Sequence, residues 1–294
     1  MVSQIYNERQ RYIIPTSDWG FKRLFGSEIN KGLLISLLNK IIDDQEIEDL
    51  EYIDRDVLLP VGNVRMMSFD VYCKCTDGSR VIVEMQNYAK KTFVDRAMVY
   101  TAASILENYT YSRGKDYHVQ KTYFIAITGE KVFPQVNHAP VRLALCDFDA
   151  EKTTQLNDKI LHIFIELPKF ADSLDDLNSN SPFLSKFAVA MKTMPSCDER
   201  PSVMDDDMLI KMFAAADIKG YKKTDLEKYK QSVMNQFEYE ETLKEYRQEA
   251  LVEGRQEGRY EIATKMLQDG VAKDTIAKYT GLDEKEISSL KTSQ

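Results

Sequence analysis

Two carboxylates stand in a strand pair that is otherwise apolar, and no other feature of the chain constrains its fold as tightly. Residues 64–75 alternate, with Met67, Phe69, Val71, Cys73 and Cys75 on one face and Ser68, Asp70 and Tyr72 on the other. Thr76-Asp77-Gly78-Ser79 is a hairpin signal. Residues 81–86 read as the return strand, in which Glu84 ends the run Val81-Ile82-Val83. A carboxylate in a buried strand is costly unless it is paired or bound to a cation. Two of them on neighbouring strands repel each other unless protonated or bridged by a metal.

Register decides whether they meet. Side chains repeat every two residues, and cross-strand partners share a face. A two-residue Asp77-Gly78 loop would set Val71 opposite Glu84 and leave Asp70 on the other side. A three-residue loop, or a bulge, brings Asp70 and Glu84 together. A shared site therefore requires an irregular turn at residues 76–79. Glu84 and Gln86 then point to one face with the Met85 carbonyl between them, an oxygen-rich shell suited to Mg²⁺. The competing reading is a solvated sheet face that merely carries acids.

The rest of the chain supplies helices and further strands. Ser17 or Asp18 can cap a first helix in which Phe21, Leu24 and Phe25 recur at helical spacing, and an apolar helix follows at residues 33–42. Residues 53–59 read as a strand ended by Pro60. Residues 93–112 read as a long helix with Phe93, Ala97, Tyr100 and Ser104 on one stripe, ended near Gly114. Strands are expected at 122–128, 143–146 and 160–167, and a helix at 183–194. Asp205-Asp206-Asp207 reads as a helix cap. Beyond residue 200 the chain becomes helical and highly charged, with the repeat Glu253-Gly254-Arg255-Gln256-Glu257-Gly258-Arg259, and ends in a helix-turn-helix-like fragment around Gly281. That second helix begins Asp283-Glu284, which disfavours base readout.

Composition narrows the function classes. The 294 residues are 43% hydrophobic and 29% charged, which excludes a disordered or collagen-like chain. With 39 basic and 47 acidic residues the net charge is −8, which disfavours a nucleic-acid coat protein but leaves room for a local basic groove, for which Lys90-Lys91 and Arg113 with Lys115 are candidates. No apolar run approaches the roughly 20 residues of a bilayer span, and residues 1–15 lack a secretory apolar core. Cys73, Cys75, Cys146 and Cys197 are too sparse for a disulfide framework and fit free thiols in a reducing cytoplasm. His118, His138 and His162 have no zinc-ligand spacing, and serine-hydrolase, P-loop and dinucleotide motifs do not occur.

The stretches TSDWGFKRLFG, SFDVYCKCTDGSRVIVEMQNY and RAMVYTAASILENYTYSRGKDYHVQKTYFIAIT, in that order, resemble the PD-(D/E)XK nuclease family transposases, also called Rpn-type recombination-promoting nucleases. The resemblance covers roughly residues 15–170, and the EGRQEGR tail is similar to that group as well. It implies an α/β, restriction-endonuclease-like fold: a mixed sheet flanked by helices over residues 1–200, with a charged helical extension over 201–294. The family's metal-binding acids fall on Asp70 and Glu84, and the lysine of its E-x-K motif falls on Gln86, a neutral amide that cannot supply lysine's charge. The implied activity is Mg²⁺-dependent (or Mn²⁺-dependent) hydrolysis of DNA phosphodiesters, linked to recombination or mobile-element DNA. In that reading Asp70, Glu84 and the Met85 carbonyl hold the metal, and Asp18 reaches the same shell. Lys22 or Arg96 supplies the missing positive charge, and Arg96 with Tyr100 contacts the substrate. Two alternatives remain: a weak or inactive DNA-binding relative, and an interaction protein that assembles, as a homo-oligomer, through its C-terminal helices. The charged helix lacks a clean apolar heptad for such pairing.

Overall fold

The computed structural model describes residues 10–54, 56–58, 66–88, 92–108, 110–111, 117–148, 153–171 and 173–290. The basic candidates Lys90, Lys91, Arg113 and Lys115, and Pro60, lie outside the described residues. The chain forms two compact units, Met1–Met234 and Asn235–Gln294. No helix among the described residues is long and apolar enough to cross a membrane.

The first unit opens with α1 (Asp18–Phe25) and α2 (Lys31–Ile41). Among the described residues ten strands follow: β1 (Leu50–Tyr52), β2 (Asp56–Leu58), β3 (Met66–Ser68), β4 (Val71–Cys75), β5 (Arg80–Gln86), then, after α3 (Phe93–Asn108), β6 (Thr110–Tyr111), β7 (Tyr117–His118), β8 (Thr122–Thr128), β9 (Val141–Phe148) and β10 (Thr153–Glu166). Helices α4 (Phe183–Thr193) and α5 (Asp207–Ala216) come next, and α6 (Lys223–Gln268) begins in this unit. Six strands form one sheet in the order β1-β4-β5-β8-β10-β9. β5, β8 and β10 are parallel neighbours, and the outer pairs are antiparallel.

The alternation of the strands builds two apolar layers, one on each side of the sheet. Val71, Cys73, Val81, Val83, Tyr123, Ile125, Ile163 and Ile165 face the layer that contains α1, α2, α4 and α5. Tyr72, Ile82, Phe124, Ala126 and Phe164 face α3, with Phe93 and Ala97. Each fully buried aliphatic or aromatic side chain contributes about 1.5–3 kcal/mol. The mixed sheet with helices on both faces is the fold expected from the sequence.

Three expectations differ from the structure. The single strand at 64–75 is two strands in different sheets, broken at Phe69-Asp70. The bend turns Phe69 to the α3 side, where its ring lies 4.9 Å from Tyr72 and 5.0 Å from Tyr100, a gain in aromatic contact that strict alternation would forgo. The helix expected over 93–112 ends at Asn108. The boundary expected near residue 200 falls after Met234. Met208, Leu209, Met212 and Phe213 of α5 and Tyr229 and Val233 of α6 are buried in the main core, so residues 201–234 belong to it. Tyr229 Oη also accepts the Ile14 N–H at 2.9 Å, tying α6 to the N-terminal segment. Asp206 caps α5, as the acidic run suggested.

In the second unit Ala263 of α6 packs with Ile276 of α7 (Lys273–Thr280) and with Leu282 and Ile287 around α8 (Glu284–Ser289). Gly281 closes α7 in the left-handed conformation, φ 70°. Asp283 and Glu286 form a capping box on α8, which uses two of the acids that open that helix.

The turn between β4 and β5 fixes everything at the other end of that pair. The Cys75 N–H donates to the Ser79 carbonyl at 2.9 Å, and the Gly78 N–H to the Cys75 carbonyl at 2.9 Å. The loop therefore holds three residues, with Gly78 at φ 88°. A side chain at that φ is strained. Gly78→Val is expected to lower stability by about 1–2 kcal/mol, read as a drop in the urea midpoint; an unchanged midpoint would show that the turn tolerates another geometry.

Candidate functional site

The three-residue turn sets the register that the shared site needs. Val71 pairs with Val83, Tyr72 with Ile82 and Lys74 with Arg80. Carried one step further, the same register places Asp70 opposite Glu84. The main-chain ladder stops there and the side chains take over. The Asp70 N–H donates to Glu84 Oε1 at 3.1 Å, and the Met85 N–H donates to Asp70 Oδ2 at 2.9 Å. Each carboxylate thus clasps the other strand's backbone, and the two are held beside one another.

The Met85 carbonyl has the orientation that a main-chain ligand requires. Successive residues of a strand address opposite neighbours. The Gln86 carbonyl accepts the Gly129 N–H on the β8 side. Met85 accordingly directs its N–H and its carbonyl to the β4 side, where Asp70 lies. Gln86 follows Glu84 on the α3 face of β5 with its side chain half-buried.

Cations reach the pair from both layers. Lys22 of α1 lies 3.5 Å from Asp70 Oδ1 and 2.5 Å from Asp18 Oδ1. Asp18 joins the cluster through that lysine, and its own side chain is 63% exposed. Arg96 of α3 approaches Glu84 Oε2 at 4.0 Å. Its guanidinium lies over the rings of Phe93 (4.9 Å) and Tyr100 (5.6 Å). Among the described residues Arg96 Nε and Nη2 are buried without a hydrogen-bond acceptor, and Nη2 is the atom that faces Glu84.

Two positioning contacts had no sequence signal. The Asn87 side chain donates to the Thr16 carbonyl at 2.8 Å, anchoring the start of α1 to the end of β5. Ser17 caps α1 by accepting the Gly20 N–H, and the backbone approaches so closely that a Cβ on Gly20 would lie 2.1 Å from the Ile14 carbonyl oxygen. A lone asparagine after a strand and a glycine in a first turn are too common to be read from one sequence.

The electrostatics follow from burial. Glu84 is 3% exposed. Desolvation, followed by the neighbouring Asp70 charge, pushes its carboxyl up to about 8. Burial also raises Asp70, against the Met85 N–H and the Lys22 ammonium, which lower it. Among the described residues no three His, Cys, Asp or Glu side chains gather around one point. The donor set is two carboxylates and a main-chain oxygen. It consists of hard oxygens that fit Mg²⁺ or Mn²⁺, ions that keep part of their water shell, and a cation there would relieve the repulsion within the buried pair.

Without such a cation, the pair makes stability pH-dependent. Glu84 titrates near 8 in the fold against 4.5 ordinarily, so the folded chain holds a proton that the unfolded chain releases. Its contribution is intact below the ordinary carboxylate range and is lost as pH rises from there to about 8. In chelator, Glu84→Gln is expected to match the parent at pH 4 and to exceed its stability by at least about 1 kcal/mol at pH 8, as measured by urea unfolding. Equal curves at both pH values would show that the pair carries no such strain.

Comparison with known families covers the elements that carry these residues. The model of the PD-(D/E)XK nuclease family transposases matches residues 15–246, and that of the C-terminal HTH domain of the Rpn/YhgA-like nuclease family matches residues 256–292. No curated protein and no solved structure gives a match. The first match spans most of the chain and contains α1, the β4–β5 pair and α3, the elements that assemble the carboxylate site. The chain belongs to the PD-(D/E)XK nuclease family transposases.

Proposed function

We propose that the protein is a divalent-metal-dependent DNA endonuclease that acts in recombination or on mobile-element DNA, with its catalytic centre at Asp70 and Glu84. The observation that carries this reading is the pair of buried carboxylates clasped across β4 and β5 beside the Met85 carbonyl. Asp70, Glu84 and Met85 would hold the cation. When bound, a divalent cation supplies charge to the scissile phosphate and acidifies water. Phosphoryl transfer demands mainly positioning and charge stabilisation. Arg96 brings a delocalised positive charge beside Glu84, held over the Phe93 and Tyr100 rings, and would offset the phosphate charge from there. Gln86 orients the attacking water by hydrogen bonding, and Lys22 balances the charge of Asp70 from the α1 side. The C-terminal helix-turn-helix domain assists in holding DNA. The four free thiols suit a reducing cytoplasm.

One feature favours the second reading, a DNA-binding relative of low turnover: Gln86 stands where the E-x-K motif has its cation. A plasmid-nicking assay separates the two. Nicking with Mg²⁺ or Mn²⁺ that is abolished by EDTA and reduced at least about 100-fold by Asp70→Asn or Glu84→Gln supports the nuclease. Arg96→Gln is expected to weaken catalysis by about 10- to 100-fold while the thermal shift induced by Mg²⁺ persists. Salt-sensitive DNA binding without cleavage supports the second reading. Full metal-dependent cleavage by Asp70→Asn would sink the site assignment.

A further inference from the structure

The C-terminal half of α6 is a helix whose sequence opposes its own isolation. Residues 244–257 are exposed on every side. Tyr246 (64%), Leu251 (49%), Val252 (52%) and Ile262 (56%) are among the most exposed large apolar side chains of the chain. Between Glu245 and Glu261 no opposite charges stand three or four residues apart. Like charges do: Glu245, Glu249, Glu253, Glu257 and Glu261 follow one another at intervals of four, as do Arg255 and Arg259. Such spacing is unfavourable within a single helix. Outside this window the same helix places its charges in the ordinary way, with ion pairs Lys244–Glu241 and Lys265–Glu261. Two glycines, Gly254 and Gly258, weaken the exposed stretch further.

The pattern makes sense on one face. Ala250, Gly254 and Gly258 form a ridge at intervals of four, and a Cβ on either glycine would meet open space. Each glycine has a glutamate before it (Glu253, Glu257) and an arginine after it (Arg255, Arg259). At 3.6 residues per turn, these lie roughly 100° to either side of the ridge. The ridge is thus a line of small residues with an acidic flank and a basic flank. Tyr260, Ala263, Met266 and Leu267, which pack with α7 and α8, lie on other sides of the helix. Small residues four apart allow two helix backbones to cross closely.

We propose that α6 pairs in parallel with α6 of a second copy of this chain, the two helices crossing at Gly254 and Gly258. Two-fold symmetry with parallel axes sets the acidic flank of each helix against the basic flank of the other. Glu253 and Glu257 then face the partner's arginine row, Arg255 and Arg259 face its glutamate row, and the apolar side chains on the ridge side are covered. An antiparallel pair would set glutamate against glutamate. The charge pattern therefore selects the partner and its direction. The pairing stands apart from the chemistry at Asp70 and Glu84.

Sedimentation and light scattering on the full chain test the pairing. A dimer is expected at tens of micromolar. Gly254→Leu with Gly258→Leu should raise its Kd at least about 10-fold while far-UV helicity is kept or increased, because leucine is the better helix former. Glu253→Arg with Glu257→Arg should also dissociate it, and adding Arg255→Glu and Arg259→Glu should restore it, since complementarity then returns with the signs exchanged. Under mild oxidation Ala250→Cys should cross-link to itself, with the parent chain as control for the native thiols. A monomer at every concentration, undiminished dimerisation of the glycine variant, or failure of the reciprocal swap would overturn the pairing. A dimer in which Ala250→Cys does not self-cross-link would overturn its parallel direction.

Discussion

Two carboxylates at one buried strand end repel each other, and the first unit is organised around tolerating that repulsion. Hydrogen bonding accounts for part of the solution: Asp70 and Glu84 each accept an N–H from the opposite strand, replacing ladder bonds that the bend at Asp70 would otherwise leave unmade. Charge accounts for the rest. Lys22 comes from the α1 layer and Arg96 from the α3 layer, so a mixed sheet with helices on both faces is what allows two cations to approach the pair from opposite sides. The balance is incomplete, because Glu84 is still pushed up to about 8. A site that stays short of positive charge in the absence of ligand is one in which a divalent cation gains the most.

The hairpin arithmetic was legible in the sequence because it depends on a two-residue period and a count of loop residues. Shared-face geometry for Asp70 and Glu84 demanded an odd loop, and Cys75 and Ser79 close one. The break at Phe69-Asp70 was not legible, since alternation scores each side chain alone and cannot see that Phe69 gains Tyr72 and Tyr100 by turning over. The domain boundary failed for a related reason. Charge density rises near residue 200, yet Tyr229 and Val233 still belong to the core, and a few buried side chains outweigh many solvated ones in fixing where a unit ends. The place of Asp18 was legible only in part. It stands four residues before Lys22, the spacing of a helical ion pair, and in the structure that pair continues to Asp70.

The tail reverses the logic of the core. In the core, unlike charges are brought together within one chain. In the window from Glu245 to Glu261, like charges recur at intervals that a single helix brings close together. A solvated helix under no other constraint would gain by interleaving signs, as the flanking ion pairs of α6 do. The capped, acidic start of α8 points the same way. This unit matches the helix-turn-helix domain model, and its last helix opens with acidic side chains engaged in a capping box.

Gln86 is where these strands of argument meet. A lysine there would put a third cation beside Asp70 and Glu84 and would neutralise the pair without metal, lowering the repulsion that draws a divalent ion in. A neutral amide leaves the charge of the carboxylates to be balanced by Lys22 and Arg96. The Arg96 guanidinium is braced on two aromatic rings, with Nη2 4.0 Å from Glu84 Oε2. The spacing between β5 and α3 is set by Phe93 and Ala97 against Ile82 and Phe124 in one apolar layer, and with it the distance from Arg96 to Glu84.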